Sequence, residues 1–344
     1  MNKKKMYVGM LGSLTALLMA GGMSSCGMIN DDLEPCTVSY RVKFNYEYNI
    51  KNADAFNSEV RSIQVWAFDT EGKLAWQSEA SGDALKSPDF SITADLQPGT
   101  YTFLAWGGLS QDSPFTLTGS SSPKSIEDLG CRLTLKKDGN DNPYADYRME
   151  NGLYHGLVEN VELKRFENQN AVQTVTVPLM KDSKEIAVML QHINGTPIDS
   201  KDFSISIKAA NSNLAWNNAV LSGPSFSYFP WAISYGSASK EKDTRTQTSV
   251  NTLLAELATS RIMVDSDQVL SVVRLTDNVE IIRIPLVQYL LLVKGNYHKN
   301  YSDQEYLDRQ DEYSMVFFLT EDNNWYISAG IYINSWAVVP PQVQ

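Results

Sequence analysis

Apolar and polar residues alternate most strictly between residues 37 and 49. Every second position there has an apolar or aromatic side chain, namely Val38, Tyr40, Val42, Phe44, Tyr46 and Tyr48. Successive side chains of a β-strand point to opposite faces, so this period of two residues predicts a strand with one buried face. We expect the folded part of the chain to begin here.

The rest of the first half consists of short apolar runs separated by turn residues. We predict strands at residues 62–69, 73–77, 89–96, 101–106, 131–135, 158–163 and 171–179. Thr70-Glu71-Gly72 predicts a hairpin, and Gln97-Pro98-Gly99 predicts a type II turn after which the chain runs back. Asn52 is the predicted cap of a short helix over residues 52–60.

The second half shows the same pattern. We predict strands at residues 185–192, 203–209, 253–264, 269–275, 279–286, 313–319, 325–328 and 331–339. Asn194-Gly195 predicts a hairpin between the first two strands, and the next three are expected to form a meander. The polar residues 237–249 are predicted to be a loop. Ser302 and Glu305 fit a capping box that opens a helix over residues 302–309.

Strands this short, with turns this frequent, predict an all-β fold of antiparallel sandwiches. Because the strand pattern repeats on both sides of Lys181, we expect two tandem β-sandwich domains. The N-terminal domain would span residues 37–182 and the C-terminal domain residues 183–344.

The N-terminal leader has the features of a secretion signal. Lys3, Lys4 and Lys5 precede an apolar run over residues 6–20 that is too short for a stable membrane span. Ser24 and Ser25 before Cys26 resemble a bacterial lipobox, with Met23 at the position where Leu is commonest. We therefore expect residues 1–25 to be a signal peptide and Cys26 to be lipidated. Residues 26–36 would then be a tether. The alternative is ordinary secretory cleavage, with Cys26 as an incidental thiol.

Composition and charge exclude some classes of partner. The 344 residues are 43% hydrophobic, as in an ordinary globular protein, and carry a net charge of −11. This acidic balance argues against a nucleic-acid partner. Outside the cytoplasm a pair of thiols tends to oxidise, so Cys36 and Cys131 are a possible disulfide. Two separate buried thiols are the alternative.

Few residues could support catalysis or bind a metal. The histidines do not lie at metal-ligand spacing with one another, with Cys or with acids: His155, His192 and His298. Cys131 and His155 could in principle be a nucleophile and base, but a buried or bridged cysteine explains Cys131 without further assumptions. Residues 138–142 offer oxygen ligands like a calcium loop, yet Pro143 stands where that loop needs Gly. We therefore expect no catalytic residue, metal or cofactor, and so no enzyme.

An ordered set of segments resembles a known family. It comprises VKFNYEYN, NADAFNSEV, VWAFDTEGKL, PGTYTFLAWGG, NLAWNN, TSRI, EIIRIPLVQYL, QEYLDRQDEY and the closing INSW. Together with the acidic residues that follow Cys26, they resemble the lipoprotein anchors of Bacteroidales fimbriae, the FimB-type anchors. Asn30-Asp31-Asp32 is similar to the signal that sends such lipoproteins to the outer face of the outer membrane.

The resemblance implies two transthyretin-like sandwiches and a lipid-held, surface-exposed base in the outer membrane. It also implies binding of fimbrial shaft subunits by β-strand complementation, which would attach the shaft and limit its length. The possible shaft-contact strand contains Ile331, Ile333, Trp336 and Val338. Alternatively this segment completes its own domain's core, and a groove elsewhere accepts the neighbour's strand.

The tryptophans suggest a function of another class. An exposed platform of tryptophans could stack on sugars and make this a surface glycan-binding lipoprotein: Trp66, Trp76, Trp106, Trp216, Trp231, Trp325 and Trp336. Trp231 lies in a loop-like segment and is the best candidate for exposure. An exposed strand edge or apolar groove would instead favour the anchor.

Overall fold

The computed structural model describes residues 39–120, 122–166, 171–240, 248–295 and 297–338. Cys26 and Cys36, the sites predicted for lipidation and for one end of a disulfide, lie outside these residues. The described chain is all-β with short helices, which confirms the predicted fold class.

The described residues of the first half contain twelve strands and one α-helix. The strands are β1 (Ser39–Asn45), β2 (Ser62–Phe68), β3 (Leu74–Ser81), β4 (Ile92–Ala94), β5 (Gly99–Gly107), β6 (Phe115–Thr118), β7 (Gly130–Leu133), β8 (Lys136–Lys137), β9 (Pro143–Ala145), β10 (Tyr154–Leu163), β11 (Val172–Pro178) and β12 (Met180–Lys181). The helix is α1 (Phe56–Glu59).

In the described part of the second half there are twelve more strands and two α-helices. The strands are β13 (Lys184–His192), β14 (Phe203–Ala209), β15 (Asn213–Leu214), β16 (Val220–Leu221), β17 (Phe226–Tyr228), β18 (Ala232–Lys240), β19 (Thr248–Thr259), β20 (Val269–Arg274), β21 (Val279–Pro285), β22 (Glu312–Leu319), β23 (Ile331–Ile333) and β24 (Trp336–Val338). The helices are α2 (Leu286–Leu292) and α3 (Asp303–Arg309).

The N-terminal sandwich has two sheets. Strands β11-β1-β4 form one and β12-β10-β5-β2-β3 form the other. Their facing side chains build one core, in which Val42, Val65, Phe103 and Val177 are completely buried. The period-two pattern of β1 is confirmed, because Tyr40, Val42, Phe44 and Tyr46 are all buried.

The C-terminal sandwich pairs two six-stranded sheets. The order of the first is β18-β19-β13-β22-β23-β24, and the order of the second is β21-β20-β14-β17-β9-β8. Val188, Ile207, Leu270 and Phe317 are completely buried in the core that they share. Most strand pairs are antiparallel, but β1–β11, β13–β22 and β9–β17 run parallel.

Two sheets combine strands from both sides of the predicted boundary at residues 182 and 183. β9 pairs with β17, and β7 pairs with β15 in a four-stranded sheet of order β16-β15-β7-β6. Residues 130–145 thus contribute to sheets of the second half. The domain boundary itself stays a prediction.

Several predicted connections differ from the structure. The hairpin at residues 70–72 is confirmed between β2 and β3. Asn194-Gly195 does not form the predicted hairpin, because β13 and β14 belong to different sheets. Residues 97–99 do not form the predicted type II turn, because Gly99 begins β5 without a positive φ. The expected meander is also wrong, since β19 and β20 lie in different sheets. Alternation is the same whether a chain turns back within a sheet or crosses to the facing one.

The local elements also show corrections. α3 begins as predicted, with the Ser302 side chain accepting a hydrogen bond from the Glu305 backbone N–H at 3.0 Å. α1 is only one turn, and Asp54 rather than Asn52 accepts from its first N–H. Helix α2 was missed. Within residues 237–249, predicted as a loop, residues 237–240 belong to β18 and residues 248–249 to β19, and residues 241–247 lie outside the described residues.

The predicted strands near the C-terminus are shorter than expected. Residues 325–328 form no strand, and Ile327–Ala329 is a 3-10 helix instead. The predicted run over residues 331–339 is a hairpin of β23 and β24 that turns at Asn334 and Ser335, which have φ values of 48° and 69°. The chain therefore reverses in the middle of the predicted strand.

Candidate functional site

The predicted shaft-contact strand packs mainly inside its own domain. Ile331 and Ile333 are completely buried, and Val338 faces Ile331 across the β23–β24 pair and is 9% exposed. Trp336 differs from them, because its side chain is 58% exposed. β24 forms one edge of its six-stranded sheet, whose order is β18-β19-β13-β22-β23-β24. The structure thus brings three of these residues together in the core and leaves one at the surface.

The other edge of the same sheet is the strand β18. It pairs with β19 along all nine of its residues and ends the sheet order on that side. Ile233 and Tyr235 are 45% and 60% exposed. This edge strand was not predicted from the sequence, because residues 237–249 are mostly polar. The available signal was the absence of any charged residue between 232 and 239.

An apolar groove lies beside β18, with a volume of about 290 Å³. Phe203 and Ile205 of β14 and Leu253 of β19 are buried side chains in its wall. Ile233 of β18 and Leu275 after β20 also line it, and both are about half exposed. The groove thus opens from the sandwich core to the surface along the edge strand.

A larger, more polar pocket of about 500 Å³ contains two of the tryptophans. Trp231 and Trp336 line it together with Glu185, Glu256 and Glu312. Burial raises the pKa of the Glu185 carboxyl, and the negative charges of Glu312 and Glu256 raise it further, against the opposing effect of Lys181. The pocket therefore combines aromatic surface with a cluster of carboxylates.

The remaining tryptophans are less exposed than Trp336. Trp66 and Trp106 are buried core residues, whereas Trp76, Trp216, Trp231 and Trp325 are partly buried. Trp231 was the predicted candidate for exposure, but its ring lies 5.0 Å below the Arg148 guanidinium. Within the described residues, one strongly exposed tryptophan does not make a platform of coplanar rings.

A buried polar network lies where the two sandwiches meet. Arg261 donates two hydrogen bonds to the Asp308 carboxylate at 2.9 and 2.8 Å, and a third to the backbone carbonyl of Asn218. The side chains of Arg261 and Asp308 are only 12% and 5% exposed. Asn218 also donates to Asp182 at 2.9 Å. The segments TSRI and QEYLDRQDEY thus meet in one ion pair.

The network continues into the N-terminal sandwich. The completely buried Lys184 donates to Asp311 at 3.0 Å, and the Tyr46 hydroxyl of the first sandwich donates to the same carboxylate. The Arg309 guanidinium lies 4.0 Å above the Tyr48 ring and 4.9 Å from the Tyr301 ring. Residues of VKFNYEYN therefore hold α3 of the second half.

The candidate nucleophile and base are both buried. Burial raises the pKa of the Cys131 thiol, which disfavours the reactive thiolate. Burial also lowers the pKa of His155 to about 4, although a hydrogen bond of 2.8 Å to the Trp216 carbonyl opposes this shift. Cys131 is a free thiol within the described residues, and the bridge to Cys36 stays a prediction.

The calcium-like segment is an exposed turn that satisfies its own carboxylate. Asp138 accepts hydrogen bonds from the backbone N–H groups of Asn140 and Asn142 at 2.8 and 2.9 Å. Hydrogen bonds from Asn142 and Asn140 lower the pKa of Asp138. In the part of the chain that the structure describes, no group of three His, Cys, Asp or Glu residues could hold a metal ion. None of the described helices is long and apolar enough to span a membrane.

Comparison with known proteins relates this architecture to fimbriae. The family model of the fimbrillin-A associated anchor proteins Mfa1 and Mfa2 matches residues 33–339. The chain is 32% identical to a proposed adhesin from Bacteroides thetaiotaomicron, with a TM-score of 0.76 and coverage of 90% of this chain and 99% of the adhesin. No curated protein matches the chain.

Two further solved structures are similar. A proposed polysaccharide-binding protein from Bacteroides thetaiotaomicron is 28% identical, with a TM-score of 0.71 and coverage of 90% of this chain and 99% of its own. The fimbrial anchor protein Mfa2 from Porphyromonas gingivalis is 20% identical, with a TM-score of 0.62 and coverage of 88% and 99%. The last likeness shows a common fold.

Proposed function

Because the chain belongs to the family of fimbrillin-A associated anchor proteins, we propose that it anchors a fimbrial shaft to the outer membrane and limits the length of that shaft. Lipid on Cys26 would hold the protein at the cell surface. Two or more acyl chains are enough for stable attachment to a bilayer. The observation that carries this proposal is the family match over residues 33–339.

The junction between the sandwiches supports a mechanical role. Force applied to a shaft has to pass through the anchor to its lipid. A hydrogen-bonded buried ion pair resists separation, because pulling it apart would leave uncompensated charges. The buried Lys184–Asp311 pair of the second half accepts a hydrogen bond from Tyr46 of the first half, and Arg309 packs on the ring of Tyr48. These contacts join the two halves.

Shaft binding would use an edge of the six-stranded sheet β18-β19-β13-β22-β23-β24 in the C-terminal sandwich. Main-chain hydrogen bonds to an unpaired edge supply affinity for an added strand, and pockets for alternate side chains supply specificity. This sheet has the edges β24, which contains Trp336, and β18. Ile331, Ile333 and Val338 would support the β24 edge from within the core.

Removal of the acylated thiol tests the anchor function. We expect Cys26→Ala to leave a folded protein that appears in the soluble fraction and no longer holds fimbriae on the cell. Cells that lack the protein altogether should release their fimbriae, and the released shafts should be longer. Electron microscopy and membrane fractionation measure these outcomes. Retention of the variant in the outer-membrane fraction would contradict lipidation at Cys26.

Glycan binding is a second candidate function, favoured by the pocket that contains Trp231 and Trp336. Aromatic rings combined with carboxylates that accept hydrogen bonds suit a sugar ring. Trp336→Ala should then abolish binding of oligosaccharides in a glycan array, whereas Trp76→Ala, outside the pocket, should not. If the wild type binds no glycan in the array, this candidate fails and the anchor function is unaffected.

A further inference from the structure

We propose that the edge strand β18 and the apolar groove beside it form the acceptor site for a β-strand donated by a fimbrial subunit. This inference rests on the proposed anchor function and assigns the docking site to one of the two edges of the six-stranded sheet. The proposed contact lies at the sheet edge opposite β24, and so away from the predicted C-terminal contact strand.

The length and composition of β18 favour strand addition. Natural proteins protect sheet edges with short strands, prolines or charged side chains. β24 follows this rule, because it is only three residues long. β18 has nine residues and spans about 30 Å at the usual rise per residue. Its first eight residues, 232–239, contain no charge and no proline, and its one charged residue, Lys240, stands at its end. Most of the edge therefore lacks these protections.

Strand register shows that the core is open along this edge. Ile233 and Tyr235 face Ala255 and Leu253 across the β18–β19 pair. Directly paired residues point to the same face of a sheet, and Ala255 and Leu253 are completely or almost completely buried. Ile233 and Tyr235 therefore point to the core face but remain 45% and 60% exposed. An added strand would cover them and continue the core.

The apolar lining of the groove determines which side chains a donated strand would need. Its walls are mainly apolar and include Phe203, Ile205, Leu253 and Leu275. Large aliphatic or aromatic side chains at alternate positions would enter it, and polar side chains between them would face the solvent. The partner segment is thus an extended strand with period-two hydrophobicity.

The two terminal segments next to the described residues do not fit the site. Residues 339–344 include Pro340 and Pro341, which have no backbone N–H to pair with an edge strand. The tether over residues 26–38 would bring Asp31, Asp32 and Glu34 towards an apolar groove. Neither segment has the required pattern.

A second copy of the chain is also a poor donor. Paired through its own β18, it would present Ile233 and Tyr235 as its core-facing side chains. The Tyr235 hydroxyl is already hydrogen-bonded to the Ser200 side chain at 2.6 Å and to its backbone N–H at 3.0 Å. These side chains therefore stay with their own sandwich and are not available to fill a neighbour's groove.

Photo-crosslinking on fimbriated cells tests the assignment. Benzoylphenylalanine is placed at Ile233 or Leu275 in the full-length protein, at Ala337 on the β24 edge, and at Ile193 as a control. Ile193 is 50% exposed, which matches Leu275, but it does not line the groove. We expect positions 233 and 275 to crosslink to an extended segment of a fimbrial subunit, identified by mass spectrometry, and position 193 to give no such product.

The other outcomes separate this inference from the anchor function. A crosslink to the shaft from position 337 alone would overturn the β18 site and leave anchoring intact. A crosslink between two copies from position 233 would overturn it in favour of a dimer. If no position crosslinks while cells without the protein still release fimbriae, the acceptor site is also wrong. Cells that keep their fimbriae without the protein would refute the anchor function itself.

A charge substitution provides an independent check. Ile233→Glu should reduce cell-attached fimbriae by about tenfold or more, because the donated strand would bury an unpaired carboxylate. Ile193→Glu, at a similarly exposed position, should leave attachment unchanged. Equal thermal unfolding of both variants would show that the fold is intact. Normal attachment with a folded Ile233→Glu variant would contradict the proposal.

Discussion

Buried charged side chains from distant parts of the sequence meet at one centre. Arg261 pairs with Asp308 and donates to the carbonyl of Asn218, whose side chain donates to Asp182. A buried charge is costly alone and tolerable when paired. Loss of Arg261 would therefore leave the buried Asp308 carboxylate without its partner.

Loss of Arg261 should strongly destabilise the protein. We expect Arg261→Ala to lower the free energy of unfolding by about 3–5 kcal/mol, because the buried Asp308 carboxylate loses its partner. Arg283→Ala is the matched control. Arg283 also pairs with a carboxylate, Glu280, at 3.3 Å, but the two side chains are 63% and 37% exposed, so its loss should cost less than about 1 kcal/mol. Urea denaturation measures both, and equal effects would contradict the role of the buried pair.

Asp182 should make stability depend on pH. Burial raises its pKa to about 7 from 3.8, despite the opposing effects of Arg261 and Asn218. The folded protein therefore binds this proton more tightly than the unfolded chain, and the contribution of Asp182 to stability rises as pH falls from 8 to 5, by about 3 kcal/mol.

Asp182→Asn isolates this effect from other groups that titrate nearby, including His155. The variant resembles the neutral carboxyl at every pH. We expect it to be more stable than the wild type at pH 8 and nearly equal at pH 5, as measured by urea denaturation at each pH. A difference that is constant with pH would show that Asp182 does not titrate in this range.

At the scale of elements, the connections between strands distinguish this fold from a simple meander. β13 and β22 are neighbours in one sheet although more than a hundred residues separate them, and they run parallel. β23 and β24 then extend the same sheet as a short hairpin. The C-terminal strands thus complete a sheet in which an inner strand, β13, comes from much earlier in the chain.

Deletion of residues 337–344 shows whether β24 binds the shaft. Ile331 and Ile333 would keep their pairing with β22, so we expect a folded protein that loses about 2 kcal/mol from the burial of Val338. Because we assign docking to β18, cells should retain their fimbriae. Loss of fimbriae from cells that contain the folded truncated protein would move the docking site to the β24 edge.

At the scale of the whole molecule, the two sandwiches share buried core residues and sheets. Trp66 and Trp106, on strands of the first sandwich, belong to the same buried cluster as Val188 and Phe317 of the second. The four-stranded sheet takes strands from both halves. A shared core and shared sheets make cooperative unfolding the expected behaviour.

Limited proteolysis tests this cooperation. Lys181 and Lys184 flank the predicted domain boundary, but Asp182, Ser183 and Lys184 are almost completely buried. We therefore expect trypsin to spare both sites in the native protein and to cut them in urea. A native cut there that yields two stable, separable fragments would show that the halves are independent domains.

The sequence by itself determined the features that depend on neighbouring residues. The alternation of β1, the hairpin of β2 and β3, and the Ser302 cap of α3 all follow from local geometry, and each is present in the structure. The ordered set of segments was also sufficient to identify the family.

Only the tertiary structure decided which strands pair and which edges remain open. Period-two alternation is identical in a hairpin and in a crossing between sheets, so the separation of β13 from β14 left no local signal. The exposure of Ile233 likewise depends on the absence of a covering strand, and not on its neighbours in sequence. The sequence did not reveal the candidate docking site, because the site consists of a strand edge and core-facing side chains that the rest of the described fold leaves uncovered.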